Sequence, residues 1–262
     1  THSRASHTRT TGATQAQPDE VSNAVGLQDT QALFQGHVPR RVSAASAVPA
    51  LQHCRTNRDS SVNAPVAIPP PLKQAALIGP DSVLQLIPLL DRHVGKEARD
   101  RLLELSGLAT LPTREGLMNE QPAAALHQAV RRHHPDEASC VMRTAGALTA
   151  DHVIERRMPL AALRVLRALP PWLSGPLLAN TIEKHAWTFA GSGRFRVRSR
   201  DPLILELADN PVVRGEQSEE PVCHWHAAVF QRLFNEIVDP DLRCIETHCV
   251  ATGAHACRFI IQ

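Results

Sequence analysis

Apolar residues recur at helical spacing from residue 81 onward, and the pattern turns to alternation near residue 186. Leu84, Leu86, Ile87 and Leu90 form a first stripe, with Asp81 or Ser82 placed to cap it. Gly95 interrupts, and Ala98, Leu102, Leu103 and Leu105 begin a second helix that stops near Gly107. After the loop 112–116, a third helix covers about 119–134, apolar at Ala125, Leu126 and Val130 and closed by Pro135. Two further helices are predicted over 138–148 and 149–169, the second because Thr149-Ala150-Asp151 reads as a cap. Pro170-Pro171 break the chain before another helix over 172–185.

Ala186-Trp187-Thr188-Phe189-Ala190 and Arg194–Arg198 alternate around Gly191-Ser192-Gly193. That predicts a hairpin with one apolar and one basic face. A third strand is predicted over 203–207, a helix over 222–237 with Trp225, Val229, Leu233 and Ile237 on one stripe, and two last strands over 242–248 and 258–261 around Thr252-Gly253. The fold class expected is α+β, a helical layer on an antiparallel sheet.

Residues 1–75 read differently. They are rich in Ser, Thr, Ala, Gln and Arg, carry Pro65, Pro69, Pro70 and Pro71, and show little apolar period beyond Ala32-Leu33-Phe34. Such a stretch buries too little surface to offset its ordering entropy, so a disordered arm is expected there, ahead of one domain over 76–262.

Net charge is only +2, which gives no global field to recruit nucleic acid or an anionic membrane. No run of about 18 apolar residues is present, so no membrane-spanning helix is predicted. Thr1-His2-Ser3-Arg4 lacks the apolar core of a secretory signal, which makes the cytoplasm the expected compartment. Cysteines there stay reduced unless they bind metal or do chemistry.

Four of the six cysteines fall in the last forty residues: Cys223, Cys244, Cys249 and Cys257. Thiolates suit zinc, and the carboxylate of Glu246 can complete a tetrahedral set. Cys223 lies at a helix start, where backbone N–H groups favour a thiolate. Glu246 and Cys249 are three apart and would face opposite sides of a regular strand, so the strand must bend or end between them. Cys244, His226, His248 and His255 are spare ligand candidates. On spacing alone three readings stand: a metal site, buried structural thiols, or a redox pair.

Cys223, Glu246-x-x-Cys249 and Thr252-Gly253-Ala254-His255-Ala256-Cys257-Arg258-Phe259 resemble the C-terminal signature of the 4-vinyl reductase domain family. The resemblance implies that Cys223, Glu246, Cys249 and Cys257 hold structural Zn2+. It departs after Cys223, where His224-Trp225-His226-Ala227-Ala228 replaces the family's small glycines. The segments Leu169-Pro170-Pro171-Trp172-Leu173, Ile182–Phe189 and Cys223-His224-Trp225-His226 narrow the resemblance to the bacteriochlorophyll-biosynthesis branch in purple phototrophs, over about 76–262. That branch implies a fold like TRAPP-type transport-particle subunits, a helical layer over a twisted antiparallel sheet with an apolar ligand pocket. It also implies a role with chlorophyll precursors; pigment-pathway enzymes such as magnesium chelatase are candidate partners, and a homodimer is a candidate assembly.

The family name implies vinyl reduction, yet no GxGxxG after a strand, no P-loop and no iron–sulfur cysteine set is present. Gly191-Ser192-Gly193-Arg194 reads as a hairpin turn. Binding a magnesium tetrapyrrole asks for less: an apolar slot, a histidine for magnesium and cations for propionates. His185 is the axial-ligand candidate, and Arg194, Arg196 and Arg198 supply a basic face. The plain alternatives are a helix-capping histidine and a solvent-facing strand. Three functions follow: a carrier of a magnesium-porphyrin or divinyl (proto)chlorophyllide intermediate, a vinyl reductase using an external reductant, or a small-molecule sensor, the last without any attached DNA-binding motif.

Overall fold

The structure, a computed structural model, describes residues 76–262. The arm expected over residues 1–75 lies outside the described residues. Seven helices come first: α1 (Asp81–Leu84), α2 (Ile87–His93), α3 (Lys96–Leu105), α4 (Glu120–His133), α5 (Pro135–Arg156), α6 (Leu160–Ala168) and α7 (Pro171–Lys184). A short antiparallel pair, β1 (Leu77–Ile78) with β2 (Met118–Asn119), ties the start of this half to α4. Asn119 caps α4 by accepting from the Gln121 N–H at 2.9 Å.

Then follow β3 (Arg194–Arg200), β4 (Leu203–Ala208), α8 (His224–Ile237), β5 (Cys244–His248) and β6 (Ala256–Ile261). The four strands form one antiparallel sheet in the order β3-β4-β6-β5. The class is α+β with an antiparallel sheet, as expected.

Two elements differ from the sequence expectation. The helices expected over 138–148 and 149–169 are one helix, α5, followed by the separate α6. The cap signal fails because the Thr149 hydroxyl donates back to the Ala145 carbonyl at 2.8 Å inside the helix. The real break is at Pro159, the residue before α6. The strand expected over 186–190 is a 3-10 turn, Ala186–Thr188, held by Thr188 N–H to the His185 carbonyl at 3.0 Å. The hairpin partner of β3 is therefore β4, with Phe195 opposite Leu207 and Arg196 opposite Glu206.

Helix α8 lies at the centre. Phe230, Leu233, Phe234 and Ile237 are buried along it, and Phe230 meets Phe259 of β6 edge-on at 5.2 Å. On its other side it runs against α5. That approach requires Gly146, because a Cβ there would land on the Trp225 carbonyl oxygen and 2.8 Å from the Ala228 Cβ. Leu86, Leu90, Leu126, Val130 and Met142 fill the space between the helices.

Candidate metal centre

The bottom of α8 and the β5–β6 hairpin converge on four donors. Cys223 is the N-cap of α8, Glu246 sits in β5, Cys249 directly follows β5, and Cys257 is the second residue of β6. A β-bulge resolves the parity difficulty. Glu246 pairs with Phe259 but His248 pairs with Arg258, so two residues of β5 face one of β6. The extra residue brings Cys249 round to the side of Glu246.

One ligand atom from each of the four residues lies within 4.8 Å of the others, a set that could hold a metal ion. The Sγ separations are 3.2 Å for Cys223–Cys257, 3.8 Å for Cys223–Cys249 and 4.0 Å for Cys249–Cys257. All three thiols are buried. The Cys223 N–H donates to Glu246 Oε2 at 2.9 Å, while Glu246 Oε1 is buried with no hydrogen-bond partner. A buried, unpartnered carboxylate oxygen costs free energy unless something positive meets it, which fits a cation among these donors.

The electrostatics agree. Burial raises the Cys223 thiol well above its usual range. Hydrogen bonds from Cys223 and Cys257 draw Cys249 down, so negative charge settles on that sulfur. Burial, and then the neighbouring Cys249, push the Glu246 carboxyl up to about 8. With Cys223 and Glu246 pushed toward their protonated forms, a divalent ion among these donors would release their protons on binding.

Asn210 gave no signal in the sequence. It is fully buried, and its Nδ2 donates to Cys223 Sγ at 3.1 Å and lies 3.6 Å from Cys257 Sγ. Its Oδ1 accepts from the Val212 N–H at 3.3 Å, which fixes the amide orientation. Of the spare candidates, Cys244 is half-buried outside the four-residue group, and His248 and His255 are exposed. His226 is buried against the Phe189 carbonyl and Asn210, each at 3.5 Å.

The tetrapyrrole candidates lie elsewhere. His185 caps the end of α7, and its Nδ1 donates to the Thr181 carbonyl at 2.8 Å. Arg194 pairs with Asp209 at 3.0 Å. Arg196 donates to Glu206 at 2.7 Å, and the same buried carboxylate accepts from Arg258 at 2.7 Å and from Arg198 at 3.4 Å. Burial alone would raise Glu206, but Arg258 and Arg196 outweigh it and hold its pKa below the usual value. These arginines stand on the sheet face opposite Phe195, which packs on Phe189 and Phe230. One cleft is walled by Leu103, Gly107 and Leu108 and another by Val94, Lys96 and Arg101, and neither includes His185, Arg194 or Arg196.

A layered α+β domain closed by a Cys, Glu, Cys, Cys cluster defines the class, and residues 203–262 match the V4R domain. The chain belongs to the family of the bacteriochlorophyll synthase 23 kDa chain. It is 49% identical to that chain of Cereibacter sphaeroides over 70% of its own length and 88% of the relative's. It is 41% identical to that of Rhodobacter capsulatus, over 75% and 92% respectively. Among solved structures, an unliganded Fe(II) H-NOX protein from K. algicida aligns at 13% identity and a TM-score of 0.48, over 71% of this chain and 96% of that one. A vinyl-4-reductase family protein from Methanocaldococcus jannaschii aligns at 17% and 0.29, over 44% and 74%.

Proposed function

We propose that this protein binds a magnesium-porphyrin or divinyl (proto)chlorophyllide intermediate of bacteriochlorophyll biosynthesis and delivers it to the next enzyme, with one structural zinc ion tying the β5–β6 hairpin to α8. The observation that carries the pathway is the 49% identity across 88% of a bacteriochlorophyll synthase chain. Magnesium chelatase and other pigment-pathway enzymes are the proposed partners.

The donor set supports zinc. A tetrahedral ion with Zn–S bonds of about 2.3 Å places its sulfurs about 3.8 Å apart. The three Sγ separations, 3.2 to 4.0 Å, bracket that value. Four protein donors leave no open coordination position, so zinc here supplies a crosslink rather than catalysis. Cys223, Cys249 and Cys257 give thiolates, Glu246 gives Oε1, and Asn210 orients two of the sulfurs.

For the pigment, His185 is proposed as the magnesium ligand. Its Nδ1–H is committed to the Thr181 carbonyl, so the ring's lone pair lies on Nε2. Arg194 is proposed to meet a propionate, since its pair with Asp209 is a surface one that a ligand can displace. Arg196 would share its guanidinium between a propionate and Glu206. The V4R match favours a second reading, reduction of the vinyl group by an external reductant.

Titrating the protein with magnesium protoporphyrin tests the proposal. A red-shifted, sharpened Soret band supports binding, and His185→Ala should weaken it. An unchanged spectrum at micromolar protein contradicts the carrier reading. Product formation from a divinyl substrate with NADPH or reduced ferredoxin would establish the reductase reading instead.

A further inference from the structure

Helix α6 and the start of α7 carry apolar side chains that the fold does not use. Only Leu163 and Leu166 of α6 are buried. Leu160 is 51% exposed, Val165 59%, Trp172 76% and Leu177 41%. Ala161, Val165 and Ala168 centre the outward side of α6, opposite Leu163 and Leu166, where a surface helix ordinarily shows polar residues. The same stretch is one-signed: between Glu155 and Glu183 there is no Asp or Glu, and Arg156, Arg157, Arg164 and Arg167 are present. Arg157 leans to Asp81 at 3.4 Å and Arg167 to the Glu236 carbonyl at 3.1 Å. Arg156 and Arg164 are exposed and make no ion pair among the described residues.

We propose that α6 and the α6–α7 corner form a docking surface for an anionic lipid bilayer, on which the protein lies peripherally. Exposed Leu, Val and Trp beside unpaired arginines are the composition that buries a few ångströms into the headgroup boundary while its cations meet anionic lipid. Trp172, projecting at the Pro170-Pro171 corner, has the amphipathic ring favoured at that depth. A second copy fits less well. A two-fold contact would set this basic face against itself with no carboxylate from residues 156–182 to neutralise it. The charge is local, which reconciles the surface with a whole-chain charge of +2.

Co-sedimentation of the full chain with vesicles tests this independently of pigment binding. Binding is expected to vesicles of equal parts phosphatidylcholine and phosphatidylglycerol, and not to phosphatidylcholine alone. Added salt should weaken it. Arg164→Ala should cost about fivefold in vesicle affinity, the worth of one surface cation. Val165→Asp and Trp172→Ala should abolish sedimentation with an unchanged circular dichroism spectrum, because both side chains are exposed. Leu111→Ser, an exposed position in the loop before β2, should leave binding unchanged. Failure to sediment with either vesicle, or full binding by Val165→Asp and Trp172→Ala, overturns the proposal. A dimer that those two substitutions dissociate, without vesicle binding, also overturns it and assigns the face to a second copy.

Discussion

The Cys223 N–H donates to Glu246 Oε2 at 2.9 Å, joining the cap of α8 to the middle of β5 across 23 residues. One carboxylate thus offers two oxygens: Oε2 holds the helix start, and Oε1 is buried with no hydrogen-bond partner, in a residue that the fold groups with three cysteines.

Glu246→Gln separates the roles of the two oxygens. A carboxamide oxygen can still accept from Cys223, but it is a poor zinc ligand. If structural zinc binding of about 10–16 kcal/mol divides over four donors, the loss is about 3 kcal/mol, roughly a hundredfold in affinity. Competition with a chromophoric chelator reads this directly. Cys244→Ser should keep wild-type affinity, because Cys244 lies outside the group.

Two glycine substitutions should behave oppositely. Gly146→Ala drives a methyl into the Trp225 backbone and Ala228, at an overpacking cost of about 1–3 kcal/mol. For a domain of this size, each kcal/mol lowers Tm by about 2–4 °C. Gly175→Ala meets only Val238 at 3.9 Å and Leu203 at 4.0 Å, which are ordinary contacts. It should be neutral or stabilising by up to about 1 kcal/mol through helix propensity. Thermal melts of the two variants check both signs.

Burial pushes His127 down to about 3, with Arg131 adding to the shift. Its Nε2–H donates to the Ser82 carbonyl at 2.8 Å, and its ring meets Trp225 edge-on. The native state therefore binds fewer protons than the unfolded chain. Stability from this group is complete above pH 6.5 and is lost as pH falls from 6.5 toward 3. The slope is at most about 1.4 kcal/mol per pH unit. His127→Gln should flatten denaturant-measured stability against pH over that window, relative to wild type. The comparison cancels titration of the cysteine cluster, which is common to both proteins.

The helices with one apolar stripe were legible because period 3.6 survives where a helix buries one side. The unbroken length of α5 was not, because α1, α2, α4 and α8 all pack on it and its Thr149 cap signal is answered inside the helix. The 186–190 segment alternates like a strand, but its N–H groups are taken locally by the His185 and Ala186 carbonyls, which closes a tight turn in place of a sheet ladder. At the candidate metal centre, spacing left Cys244, His226, His248 and His255 open as ligands, and the family resemblance singled out Cys223, Glu246, Cys249 and Cys257, the four that the fold brings together. The bulge that lets Glu246 and Cys249 share a side shows only in the register with β6. Asn210 carried no signal, since an Asn before Pro211 reads as a turn.

Metal analysis of the full chain, purified without chelator, tests the proposed centre most directly. About one zinc per chain is expected, falling to none in Cys249→Ala and Cys257→Ala, with the β5–β6 hairpin losing amide-exchange protection. Zinc-free wild-type protein that stays folded and is not stabilised by added zinc would contradict the metal centre and leave three buried thiols packed as core.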